Sequence, residues 1–87
     1  MINVKNKSVV VTGGTKGIGI EITKSFLRQS AKVFVVARQK PKRTIQAKGN
    51  KAVFIECDIR NIESLDNAVK EIKMLAKSID VLINNAG

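Results

Sequence analysis

Four short aliphatic runs, mostly β-branched, constrain this chain more than any other feature: SVVVT (8–12), KVFVVA (32–37), AVFIEC (52–57) and DVLIN (80–84). The first three read as strands buried on both faces, and DVLIN as a fourth strand. Between the first two, Ile18, Ile22 and Phe26 recur every four residues with Leu27 beside them. That spacing predicts a helix from Gly17 to about Gln29 with those side chains turned inward. Between the last two, Ile62, Leu65, Val69, Ile72 and Ala76 step by three and four, predicting a helix over 61–77. Asn61 suits its N-cap, Glu63 its first turn, and Asp66 stands four residues before Lys70. The alternation predicts one α/β domain: a parallel sheet joined by right-handed crossovers.

One connection is thin. Residues 39–51 hold Pro41 and Gly49, and their only apolar side chains besides the proline are Ile45 and Ala47. At most a short helix is expected there, covering its face of the sheet poorly.

Composition removes several chemistries. The chain has no His, no Tyr and one cysteine, Cys57. Zinc catalysis, Ser-His-Asp chemistry and a disulfide framework are therefore excluded. No run approaches the roughly 18 apolar residues of a membrane span. The opening MINVKNKS has neither an apolar core nor a cleavage site, so a cytoplasmic protein is expected. The net charge of +9 is uneven, because residues 1–51 carry twelve Lys/Arg against a single acid, Glu21. The densest part is RQKPKRTIQAKGNK (38–51). Such a run can meet RNA, a membrane surface or a phosphorylated ligand, or simply be solvated. It contains no aromatic residue on which a base would stack, which argues against nucleic acid.

The stretch TGGTKGIG (12–19) places four glycines in eight positions between the first strand and the first helix. A tight turn there aims free backbone N–H groups and the positive end of a helix at one point, a site for an anion such as a diphosphate. Gly13 permits the turn, Gly17 lets the backbone approach a ligand, and Gly19 permits close packing of helix on strand. The spacing is G-x-x-x-G-x-G, not the G-x-G-x-x-G of the usual dinucleotide fingerprint.

With these residues in view, TGGTKGIG resembles the cofactor motif T-G-x-x-x-G-x-G of the short-chain dehydrogenase/reductase family. CDI (57–59) is similar to that family's Asp at the end of the third strand, and NNAG (84–87) to its signature after the fourth. Carrier-protein 3-oxoacyl reductases are nearest in flavour. The resemblance implies a Rossmann-type sheet of about four strands in the order 3-2-1-4, truncated to roughly the first third of a family member. It implies that Gly13, Gly14, Thr15 and Lys16 wrap the phosphates while Gly17, Ile18 and Gly19 open the helix. Asp58 and the backbone of Ile59 would flank the adenine, although an acid there also suits the start of the next helix. Asn84 would steady the sheet, and Asn85, Ala86 and Gly87 would lie along the ribose.

A carboxylate at the end of the second strand would bond a ribose 2′-hydroxyl and repel a 2′-phosphate. Here that position reads ARQ, with Arg38 and no acid before Glu56, so NADP(H) is expected over NAD(H). The family's hydride transfer uses a Tyr as general acid/base with a Lys four residues on. This chain has no Tyr, so the resemblance implies a cofactor-binding part with no catalytic residue of its own and no activity alone. The last strand is expected to form an open edge, inviting self-association, a full-length paralogue or a catalytic C-terminal half. An alternative function is a non-catalytic nucleotide-binding or interaction module docking on such a paralogue.

Overall fold

A computed structural model describes residues 3–85. In chain order the elements are β1 (Ser8–Thr12), α1 (Gly17–Arg28), β2 (Lys32–Ala37), β3 (Gln46–Ala47), β4 (Asn50–Lys51), β5 (Val53–Glu56), α2 (Ile62–Leu75) and β6 (Val81–Asn84). Four strands form one sheet in the order β5-β2-β1-β6, and every pairing in it is parallel. This is the expected 3-2-1-4 order, with the two short strands β3 and β4 standing apart as an antiparallel pair.

Alternate side chains of the central strands feed two cores. On one face Val9, Val11, Val33 and Val35 pack with Leu27 of α1 and Ile45. On the other, Val10, Phe34, Val36 and Ile55 pack with Ala68 and Ile72 of α2. Burial of a side chain such as Phe34 or Leu27 contributes roughly 1.5–3 kcal/mol. The register of β6 is fixed from below, where Ser8 donates its N–H to Asp80 Oδ2 at 2.9 Å and Asp80 donates its own to the Ser8 carbonyl at 2.9 Å.

Three expectations are corrected. In α1 the fully buried residues are Gly19, Thr23 and Leu27, and Ile22 and Phe26 pack half-buried against the same core, but Ile18 of the expected stripe is 73 % exposed. Ile18 lies in the first turn of the helix, beside Gly19, which is the residue pressed against the glycine turn. In α2 the buried positions are Ala68 and Ile72, and Ile62 and Leu65 of the expected stripe face outward.

The connection after β2 is not a helix. Lys48 and Gly49 both have positive φ (50° and 75°), the backbone of a tight two-residue hairpin turn between β3 and β4. The hairpin is fastened to α1 by Asn50, whose side-chain amide donates to the carbonyls of Ala31 (2.8 Å) and Leu27 (3.3 Å). Ile45 is buried in the core on this face of the sheet, with Ala47 packed against it. Among the described residues, no helix is long and apolar enough to cross a membrane.

Candidate cofactor site

The parallel sheet places the C-terminal ends of β1, β2, β5 and β6 along one edge. The chain runs from β1 to β2 and β5 on one side and returns to β6 on the other, so β1 and β6 flank the reversal of strand order. Open α/β sheets bind their ligands in the crevice at such a point. The glycine turn leaves β1 at this place.

The turn is held from three sides. Gly13 has φ 66° and donates its N–H to the Val36 carbonyl at 2.9 Å, tying the turn to β2. Asn85 donates from its side-chain amide to the Gly13 carbonyl (3.1 Å), and its backbone N–H reaches the Thr12 hydroxyl (3.0 Å). The Thr12 hydroxyl also bonds Asn84 Oδ1 at 3.1 Å. Gly14 is buried against Val35 and Thr23. Gly19 lies so close to the turn that a Cβ there would stand 2.3 Å from the Gly13 carbonyl oxygen. Gly17 differs: its φ is 49°, and a Cβ would meet nothing within 4 Å.

The two helices begin differently. In α2, Asn61 Oδ1 accepts from the Ser64 N–H at 3.0 Å, and Glu63 lies in the first turn. In α1, Lys16 makes no side-chain cap and the first turn holds no acid. The leading N–H groups of α1 thus lack a side-chain acceptor of the kind that satisfies α2.

Beside this turn lies an open groove of about 790 Å³. Gly13, Thr15 and Lys16 line one end, Val36, Ala37, Arg38 and Gln39 the middle, and Cys57, Asp58, Ile59 and Arg60 the other end. Such a volume suits a nucleotide-sized ligand. Of the residues anticipated from sequence, the groove gathers Gly13, Thr15, Lys16, Arg38, Asp58 and Ile59. Gly14 and Gly19 turn into the packing behind it, and Gly17 and Ile18 are exposed at the start of α1. Asn85 braces the turn, and Ala86 and Gly87 lie outside the described residues.

Asp58 is the one carboxylate among the described lining residues. Arg60 holds it at three points: its backbone N–H (3.0 Å) and Nε (3.2 Å) donate to Oδ1, and Nη2 (3.3 Å) donates to Oδ2. These contacts, with a weaker pull from the Arg38 charge, hold the Asp58 carboxyl below its ordinary value of 3.8. The Asp58 N–H donates to Ser64 Oγ and its carbonyl accepts from the Asn61 N–H, both at 2.9 Å, so the start of α2 fixes this end of the groove. Arg60 was not anticipated. Its signal was local: an Asp two residues before it, the spacing of a side-chain-closed turn.

Comparison with known proteins agrees with this geometry. The short chain dehydrogenase family matches residues 7–87. The ketoacyl reductase HetN of a Nostoc species is 34 % identical over 92 residues, covering 100 % of this chain and 32 % of that protein. A structure of the NADH-dependent reductase A1-R′ complexed with NAD superposes with a TM-score of 0.86 at 29 % identity, over 97 % of this chain and 37 % of that one. A short chain dehydrogenase of Leptospira borgpetersenii with bound NAD+ gives 0.83 at 32 % identity, over 98 % and 33 %. The chain therefore spans about a third of the length of the relatives it matches. With its parallel β5-β2-β1-β6 sheet and glycine turn at the reversal of strand order, it belongs to the short-chain dehydrogenase family.

Proposed function

We propose that residues 1–87 form the nicotinamide-cofactor-binding part of a short-chain dehydrogenase, with NADP(H) preferred over NAD(H) and no turnover from this part alone. The diphosphate would lie against the glycine turn and the start of α1, held by Gly13, Gly14, Thr15, Lys16, Gly17, Ile18 and Gly19. The adenosine half would extend over β2 and β5, with Arg38 at the 2′-phosphate and Asp58 and Ile59 at the base. Asn85, Ala86 and Gly87 would line the ribose on the β6 side. The observation that carries this reading is the open N-terminus of α1 facing a groove whose β2 side carries Arg38 and no acid.

The cofactor would supply the hydride, and the chain's own residues would fix its phosphates and its base. An arginine fork on a phosphate is a charge-assisted pair, about twice as strong as a neutral hydrogen bond. NADPH is accordingly expected to bind at least about ten-fold more tightly than NADH. Calorimetric titration of the 87-residue chain with each tests this, and Arg38→Asp should reverse the order. Equal affinities, unchanged in Arg38→Asp, would sink the NADP(H) assignment. The absence of Tyr from the chain supports the expectation of no activity alone, since the family's general acid/base would have to come from elsewhere.

A second observation bears on partners. β6 is an edge strand, and Leu82 on it is 64 % exposed. Leu82 pairs in register with Val10, so it lies on the α2 face of the sheet, where Ile62 and Leu65 are also uncovered. We read this face as the place where the rest of a dehydrogenase of the relatives' length packs, whether carried by the same polypeptide or another.

A further inference from the structure

The Asp58–Arg60 pair occupies the end of the groove that the proposed function gives to the purine base, and the inference rests on that reading. β1, β2 and β5 are successive neighbours, so Asp58 stands two strand spacings, about 10 Å, to the side of the glycine turn. A ribose and base can cover that span. The recognising group there is not a bare carboxylate.

Arg60 engages both Asp58 oxygens, yet a guanidinium carries five N–H donors and this pairing uses two of them. With two donors on Oδ1 and one on Oδ2, one of the carboxylate's roughly four lone-pair sites also remains, on Oδ2. An acceptor and donors therefore stand side by side. A carboxylate alone would accept from the amino group of a 6-aminopurine and repel the carbonyl of a 6-oxopurine. Sites built to hydrogen-bond one such group normally reject the analogue lacking it by large factors. The pair removes that one-sidedness: Asp58 can take the amino group, and Arg60 can donate to a 6-oxo oxygen while Asp58 accepts from the N1–H beside it. Two features make the pair more than a chance surface contact. Asp58 is fixed through its backbone to Ser64 and Asn61 at the start of α2, and the Arg60 N–H closes the turn onto Oδ1.

We infer that Arg60 is a specificity-determining residue that makes the base end of the groove accept 6-amino and 6-oxo purines alike. The test titrates the full 87-residue chain with NADPH and with its hypoxanthine analogue, following nicotinamide fluorescence or heat. Wild type is expected to bind both within about three-fold. Arg60→Ala, a change at a side chain 72 % exposed, should prefer NADPH by roughly ten-fold, the value of one hydrogen bond to a charged group. Arg60→Lys, which keeps the charge and loses the fork, should fall between them, so the test does not hang on one variant. A ratio that is the same in wild type and Arg60→Ala, with both nucleotides bound, overturns the inference and leaves the cofactor site standing. Binding of neither nucleotide by wild type overturns both.

Discussion

Replacing Gly19 by Ala probes the join between the glycine turn and α1. The added Cβ would lie 2.3 Å from the Gly13 carbonyl oxygen and 2.8 Å from both the Gly14 Cα and Asn85 Nδ2. Carbon–oxygen contacts in proteins settle near 3.3 Å, so the overlap is about 1 Å. Two of the three obstacles are backbone, and neither can step aside as a flexible side chain would. Relief requires α1 to back away from β1, which loosens the packing of Gly14 against Val35 and Thr23. Overpacking of this kind costs about 1–3 kcal/mol, offset by up to about 1 kcal/mol from the better helix propensity of Ala. With a backbone oxygen only 2.3 Å away the cost falls at the upper end of that range, and the resulting net loss of roughly 2 kcal/mol would lower the melting temperature of so small a domain by about 8–16 °C. Gly17→Ala is the internal control. It meets nothing, and only its φ of 49° costs, by roughly 1 kcal/mol. Thermal unfolding followed by circular dichroism separates the two. A Gly19→Ala melting temperature within about 4 °C of wild type, or a larger loss in Gly17→Ala, would refute the assignment of Gly19 to packing and Gly17 to the open side of the turn.

Further outcomes concern other parts of the molecule. Asn61→Ala removes the Oδ1 cap on Ser64 N–H and should cost about 1 kcal/mol, read by urea unfolding; no change would mean that the cap is idle. Leu82→Lys should weaken self-association at micromolar concentration in sedimentation velocity without lowering the melting temperature, because the side chain is already largely solvated. The Asp58 carboxyl titrates below 3.8, so its pairing stabilises the folded chain fully above that value and is lost as pH falls through the lowered folded value. NMR titration of its carboxyl carbon should show this depressed midpoint, and Arg60→Ala should return it toward 3.8.

β1 and β2 were legible because burial on both faces leaves one readable mark, the β-branched run, and their bounds coincide with those of the runs, whereas β6 is half exposed along its length and was read from a shorter apolar run. The glycine turn was legible for a similar reason, since only a demanding backbone concentrates that residue. The facing of α1 was legible in part: Ile22, Phe26 and Leu27 pack on the core as their spacing implies, but periodicity weighs large side chains and so gave Ile18 an inward place that it does not take, while the buried Thr23 carried no such mark. The hairpin was hidden by its own shortness: β3 and β4 have two residues each, and their turn is Lys-Gly in place of the commoner Asn-Gly. In α2 the stripe was real, but periodicity marks an apolar face without saying what covers it. Ile62 and Leu65 lie outside the contact that Ala68 and Ile72 make with the sheet.

The contrast between the two helix starts links these points to function. A chain able to cap a helix with its own side chains does so at α2, where Asn61, Glu63 and Ser64 occupy the first turn and the residues before it. At α1 the corresponding positions are Lys16, Gly17, Ile18 and Gly19, which supply no acceptor. The turn that leads into it is nonetheless braced, through Gly13 to Val36 and through Asn85 to Gly13. Rigid placement with the hydrogen-bonding capacity left open is what a preorganised anion site requires: a ligand phosphate then gains its bonds without the cost of ordering the loop. Were the open N-terminus only a weak helix start, nothing would favour tying it to both neighbouring strands. The bracing therefore tells more about the site than the glycines do, and it predicts that Asn85→Ala weakens NADPH binding more than it lowers the melting temperature.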